Sequence, residues 1–313
     1  MTACNATSGA MPPLVSVLIP AFNHERYVLR CLDSVLEDPY PAKELIIIDD
    51  GSTDRTGARI ADWVATHCMD IPIEYVQREN RGVAATLNEL AARANGEFLR
   101  PGASDDYLLP GGLDAQVRYL QAHPGKGAVI GDSIVVDQDG RKLHDSGMCD
   151  LHGADKSLYR TDDGIRRAVI RQWAIGGPVA LIRRCALDTA DRWSEGLRIE
   201  DWDLFLRLAA RGVLGFIDVH VCAYRLHDAN ASRTRHTGVR IANLAESRHV
   251  AMLRTGLFEE PYRTLLRAQS HYIDAKISFL ERRPWPLLRH LAAYLALAAR
   301  ARLPPAGPHA EGT

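Results

Sequence analysis

Three tight groups of carboxylates stand out along this 313-residue chain. Asp49 and Asp50 follow the apolar run Leu45 to Ile48, Asp105 and Asp106 follow Ala103-Ser104, and Glu200, Asp201 and Asp203 precede Leu204, Phe205 and Leu208. A carboxylate ending a buried strand can accept a hydrogen bond from a base or ribose. It can equally satisfy backbone N–H groups of the next turn, and both readings stay open for the first pair. Adjacent carboxylates repel when both ionise, and a hard divalent cation removes that cost while keeping positions for water and phosphate oxygens. The alternative for Asp105-Asp106 is a solvated turn ahead of a helix. In the third group one acid is suited to general-base work, against the ordinary preference for acids in a helix's first turn. A fourth group, Tyr224-Arg225-Leu226-His227, offers a guanidinium for phosphate and an imidazole for metal, against a plain basic surface loop.

The surrounding pattern supplies elements to position these groups. Val15 to Ile19, Leu45 to Ile48, Ile73 to Gln77 and Phe98-Leu99 read as buried strands. Between them, helical spacing starts from Tyr27 (Val28, Cys31, Leu32, Val35), from Thr53 (Ile60, Trp63, Val64) and after Gly82 (Val83, Leu87, Leu90, Ala94). Strand and helix alternating through short turns predict an α/β fold with a mostly parallel, doubly wound sheet. Pro110 is expected to open a fourth helix carrying Leu113, Val117 and Leu120. Further on, Ala128 to Ile130, Ile134 to Val136, Val179 to Ile182 and Val219 to Tyr224 read as strands of a mixed sheet, with a helix from Trp202 to Arg211. Leu143 to Asp163 is polar and irregular, as expected of a mobile loop. Ile241 to Leu303 reads as two or three amphipathic helices, rich in Arg and broken by Pro284-Trp285-Pro286.

Net charge is −1, so no global basic field points to nucleic acid. Six scattered cysteines (Cys4, Cys31, Cys68, Cys149, Cys185, Cys222) form no C-x-x-C pair, which fits reduced thiols in a cytoplasmic protein. Met1 to Pro13 has no basic region followed by an apolar core, so no secretory signal is expected. Leu287 to Leu303 is broken by Arg289, His290, Arg300 and Arg302, which leaves a lipid-facing surface helix as an alternative to packing on the core or forming a homodimer.

In this order the groups resemble the GT-A glycosyltransferases of family 2, which use nucleotide-sugar donors. The matching segments are Val15 to Asn23, Leu45 to Thr56, Asn80-Arg81-Gly82 with Asn88, Asn95 to Phe98, and Ala103 to Asp106 with Pro110. They continue through Gly177-Pro178, Glu200 to Asp203 with Arg207, and Tyr224 to His227 with Asn230 and Ser232. The resemblance implies a GT-A catalytic domain over 14–232, with a nucleotide-binding half (14–125) and an acceptor half (126–232). A helical C-terminal region (233–303) follows, with flexible ends at 1–13 and 304–313. It implies that Pro20, Ala21, Phe22, Asn23, Asp50, Asn80, Gly82, Asn88, Ser104 and Asp105 contact the nucleotide sugar. Asp106 and His227 hold the divalent cation, Mn2+ or Mg2+, and Asp201 is the catalytic base. Gly177, Pro178, Glu200 and Trp202 lie on the acceptor side. Two departures stand out. Ser104 replaces the first acid of a D-x-D motif, and Leu87 replaces an Arg that often precedes Asn88, leaving Arg78, Arg81 or Arg100 as substitutes.

The implied activity is inverting transfer of a sugar, from a UDP-sugar by family analogy, to a hydroxyl of a saccharide or lipid-linked acceptor in polysaccharide, O-antigen or glycolipid synthesis. Such an acceptor would place the enzyme at the inner face of the cell membrane. The reading requires Asp50, Asp106 and Asp201 to converge on one cleft. A nucleotide-sugar-binding subunit without transfer activity is the alternative, and a phosphoryl-transfer or receiver-like domain is a third reading that leaves the Glu200 to Asp203 group idle. No G-x-x-x-x-G-K-[ST] loop is present.

Overall fold

The computed structural model describes residues 11–171, 174, 176–190, 192–228, 230 and 236–302. The first half runs β1 (Val15–Ala21), α1 (Val28–Glu37), β2 (Lys43–Asp50), α2 (Thr56–His67), β3 (Ile73–Arg78), α3 (Val83–Arg93), β4 (Phe98–Pro101), β5 (Tyr107–Leu108) and α4 (Gly112–Ala122). The second runs β6 (Ala128–Val136), β7 (Lys142–His144), α5 (Asp162–Arg171), β8 (Ala180–Arg183), α6 (Arg184–Thr189), α7 (Glu200–Ala210), β9 (Leu214–Arg225), α8 (Thr237–Arg254), α9 (Tyr262–Leu280) and α10 (Pro284–Arg300).

One sheet carries them in the order β3-β2-β1-β4-β8-β6-β9-β5, with β7 on β6. β1 to β4 pair in parallel. β8 then runs antiparallel to both β4 and β6, while β6 and β9 pair in parallel. Alternation along β1 sends Val15, Val17 and Ile19 to one face, under α1, α2 and α4, and Leu18 to the other, under α3, α5 and α7. α8 and α9 join that second core through Val250, Ala251, Leu265, Leu266 and Ile273.

β2 is buried along its whole length, Lys43 and Glu44 included. Glu44 accepts hydrogen bonds from Ser16 Oγ, from Asn95 N and Nδ2, and from Gly96 N at 3.2 Å. A Cβ at Gly96 would lie 2.7 Å from Leu14 O, so only glycine lets the chain pass here. The Asn95-Gly96 match therefore serves the fold rather than a ligand.

Several expected elements differ. Pro110 lies in a turn, and α4 starts at Gly112 behind Gly111, whose φ of 81° takes the left-handed region that glycine tolerates. Val83 opens α3 but is exposed. Ala128 to Val136 is one strand, not two. Residues 143–163 are built rather than loose. Fully buried Asp132 collects Ser146 Oγ, Met148 N (3.0 Å) and Lys156 Nζ (2.7 Å), folding the segment into a π-turn and a 3-10 turn that bury Met148 and Tyr159. Pro284 and Pro286 sit in the first turn of α10, where missing N–H groups cost nothing. The expectations for 1–10, for Ser232 and for 304–313 fall outside the described residues.

α7 and α8 are locked by charge. Asp203, fully buried, receives Arg207 (2.9 Å), Arg254 (2.6 Å) and Ser194 Oγ (2.7 Å). Arg254→Met leaves that carboxylate short of a partner and is expected to cost about 2–4 kcal/mol, read by denaturant unfolding.

Candidate active site

The parallel half of the sheet delivers four loops to one edge, where open α/β sheets take their ligands. The loop after β1 and the loop after β2 clasp each other. Asn23 N donates to Ser52 Oγ (2.9 Å), Thr53 N to Asn23 Oδ1 (2.8 Å), His24 N to Thr56 Oγ1 (2.8 Å) and Glu25 N to Asp54 (3.1 Å). Asn23, at φ 54°, is thus committed to the clasp, while its neighbour Phe22 is left exposed at the edge. Pro20 and Ala21 belong to β1 itself.

The first acidic pair takes the backbone-capping alternative. Asp49 accepts from Ser52 N (3.0 Å) and Gln77 Nε2 (3.1 Å). Asp50 accepts from Arg81 N (2.8 Å), Gly82 N (2.9 Å) and the Arg78 guanidinium, and is only 4% exposed. Asn80 donates to Asp50 O at 2.8 Å. Asp50, Asn80 and Gly82 therefore shape the loop ahead of α3.

The centre of the edge is Asp105. Its Oδ2 lies 3.0 Å from His227 Nε2 and 3.8 Å from His24 Nε2. Ser104 Oγ lies 2.8 Å from His24 Nδ1, which fixes that ring and leaves Nε2 facing Asp105. His227 packs tilted against Tyr27, 4.8 Å between ring centres, and meets His24 edge to face. The three ligand atoms of His24, Asp105 and His227 lie within 4.8 Å of one another, a spacing that fits a single divalent ion.

Asp106 is turned from this group into the interior, where its Oδ1 accepts from Arg225 N at 2.8 Å. Burial and then the neighbouring Asp105 raise its pKa well above the usual carboxylate range. Burial also works against an ionised Asp105, but the His227 hydrogen bond and the two imidazoles outweigh it and hold its pKa low. Charge is thus favoured on Asp105, which faces the histidines, over Asp106. Burial lowers the pKa of His24, which keeps a nitrogen lone pair available for a metal.

Arg225 is a brace rather than a phosphate hand: Nε donates to Asp105 O (2.8 Å) and Nη1 to Asp137 O (3.1 Å). Arg100 is fully buried, with Nη1 on Pro101 O (2.7 Å), and Arg78 is spent on Asp50, Glu89 and Thr86. Of the three arginines weighed as substitutes for the one missing at Leu87, Arg81 alone extends into solvent.

α3 connects this edge to the third acidic group. Asn88 clamps the approach to α7, donating to Trp193 O (2.9 Å) and accepting from Trp193 N (3.1 Å). Asp201 is half-buried in the first turn of α7, its Oδ1 taking Trp202 N at 2.8 Å. Trp202 is buried with its indole N–H on Val169 O (2.8 Å), so its expected acceptor-side position is corrected to a core one. Glu200 is buried beneath Asp201, its Oε2 without a hydrogen-bond partner. Gly177 and Pro178 form a turn before β8, and Pro178 lines a small cavity that Asp106, Arg100 and Cys222 share.

The structure gathers His24, Asp105 and His227 at one edge, while Asp50 and Asp106 accept hydrogen bonds from neighbouring main chain and Asp201 lies in the first turn of α7. His24 escaped the sequence reading. It is one of twelve histidines, and its partner Ser104 is 80 residues away.

This sheet, with its cation-sized cluster on the edge and helices to either side, is the GT-A fold of glycosyltransferases. The mannosyltransferase PcManGT from Pyrobaculum calidifontis, solved with GDP-Man and Mn2+, superposes with a TM-score of 0.65 at 24% identity, covering 94% of this chain and 77% of that one. S. aureus TarS 1-349 in complex with UDP-GlcNAc gives 0.63 at 16% identity, covering 92% and 91%. In sequence, the succinoglycan biosynthesis protein ExoU of Rhizobium meliloti (strain 1021) is 28% identical over 276 residues, 85% of this chain and 78% of ExoU. The family model for Glycosyl transferase family 2 matches residues 16–187. The chain belongs to that family and is a glycosyltransferase.

Burial, then Asp201 and Glu246, raise the Glu200 pKa well above its ordinary value. The folded state therefore binds this proton more tightly than the unfolded chain, and stability falls as pH rises from the ordinary carboxylate range through the raised value. Glu200→Gln is expected to lose that slope, so denaturant unfolding from pH 5 to 8 should show the variant gaining on the parent as pH rises.

Proposed function

We propose that this glycosyltransferase moves a sugar from a nucleoside diphosphate sugar, a UDP-sugar by family analogy, to an acceptor hydroxyl with inversion at the anomeric carbon, in polysaccharide synthesis. The observation that carries the reading is the His24–Asp105–His227 cluster on the ligand-binding edge of a parallel sheet. The solved neighbours hold UDP-GlcNAc and GDP-Man, the latter with Mn2+. ExoU is named for succinoglycan biosynthesis.

His24 Nε2, His227 Nε2 and Asp105 Oδ2 would hold a divalent cation, Mn2+ or Mg2+. When bound, it neutralises charge on the diphosphate leaving group. Ser104 aims the His24 ring, and Tyr27 backs His227. Asp106, in the interior, secures the Arg225 main chain and so the approach to His227. Exposed Phe22 offers a ring face to the base, and exposed Arg81, 3.5 Å from Glu89, a positive charge to the phosphates. Asp201 takes the acceptor hydroxyl's proton as the new bond forms. A single base and direct displacement give inversion.

Asp201→Asn is expected to lower transfer by about 10²–10⁴-fold while donor affinity by calorimetry stays within about twofold. An equal loss of binding and turnover would assign Asp201 a structural role. His24→Ala and His227→Ala should each weaken donor binding in Mn2+ by about 10–100-fold, with little change in EDTA. An unchanged affinity in Mn2+ would remove the cluster from donor binding.

A further inference from the structure

α10 is apolar on two faces but covered on one. Leu287, Leu291, Tyr294, Leu297 and Ala298 are half-buried against α9, with Tyr294 packed against Tyr272, 5.2 Å between ring centres. On the other side Trp285, Leu288, Ala292, Leu295, Ala296 and Ala299 are all exposed, at the three-and-four spacing of one helical stripe about 100° wide. Trp285 is 81%, Leu288 59% and Leu295 64% open to solvent, and Phe279, at the end of α9, adds 69%. A helix that is hydrophobic all round is ordinarily buried all round.

Charge names the occupant. The seventeen residues of α10 contain no Asp or Glu. Arg289 and Arg300 border the stripe on one side, and Arg282, Arg283 and Arg302 stand at its two ends, all exposed. Two acids nearby are already paired: Glu281 with Arg283 at 3.3 Å, and Asp274, on α9 beneath His290, with Arg248 at 2.9 Å. A second copy of the chain is the poorer fit. A stripe about 26 Å long and about 10 Å wide covers a few hundred Å2 at most, against about 800 Å2 per partner in a stable interface. A twofold pairing would also set these arginines against one another. Spanning is no alternative, since no helix among the described residues is long and apolar enough to cross a membrane.

We propose that α10 lies flat on an anionic lipid surface, its Trp285–Leu288–Leu295 stripe entering the acyl boundary and its arginines meeting headgroup phosphates. The inference does not rest on the donor chemistry proposed above. The probe is flotation of the full chain with vesicles of phosphatidylcholine alone, or of equal parts phosphatidylcholine and phosphatidylglycerol, at low and high salt. Binding is expected to the anionic vesicles and to weaken with salt. The double variant Leu288→Glu/Leu295→Glu should lose at least about tenfold in partitioning, and Arg289→Gln and Arg300→Gln about fivefold each. All these side chains are exposed, so unchanged thermal unfolding certifies the variants as folded. No flotation on anionic vesicles at low salt overturns the proposal. So does equal flotation of the Leu variant, or a concentration-dependent dimer in size-exclusion chromatography that the Leu variant abolishes.

Discussion

A buried carboxylate must find donors or give up its charge, and this protein answers that demand repeatedly by tying distant loops together. Glu44 draws in Asn95 and Gly96, Asp50 the loop at 81–82, Asp132 the segment at 146–156, and Asp203 the arginines of α7 and α8. In each case the acid sits on a regular element and takes at least one donor from irregular chain or another element. The scaffold is thus fixed where backbone ladders end. At the edge of the sheet the same requirement is met differently. Two imidazoles beside Asp105 favour its charge, while burial and that neighbour disfavour charge on Asp106.

That economy decides what could be read in the sequence. Leu45 to Ile48 announces a strand because four consecutive apolar side chains fit nothing shorter or wetter. Lys43 and Glu44 do not, because their burial depends on Asp38 and on Asn95, which no local pattern reveals. Asp132-Ser133 interrupts the apolar rhythm of β6 for the same reason. β5, two residues long, is too short to show a period. The four parallel strands and their helices were legible throughout, since each is a local pattern repeated.

The candidate site was legible in its location and less so in its atoms. An acid after a strand and an acid next to it look alike in one dimension. Only the fold separates Asp105, which faces two histidines, from Asp106, which faces Arg225 and the core. Ser104, where the resemblance leads one to expect an acid, becomes intelligible beside His24, whose ring it orients. Asn88 and Trp202, expected near the substrates, spend their polar atoms on Trp193 and Val169. Residues typical of a family can thus be retained for the backbone they secure.

The separation of the three cluster members along the chain has a consequence for biosynthesis. His24 and Asp105 emerge early from the ribosome, but His227 follows Asp105 by 122 residues and stands just past the end of β9. β9 finds its place between β6 and β5, so the third imidazole arrives after the most sequence-distant pairing of the sheet, that of β5 with β9, has closed. A nascent chain still lacking β9 owns two thirds of the cluster and none of its geometry. The three-residue cluster, on this architecture, is completed in one late step rather than accumulated as the protein is made.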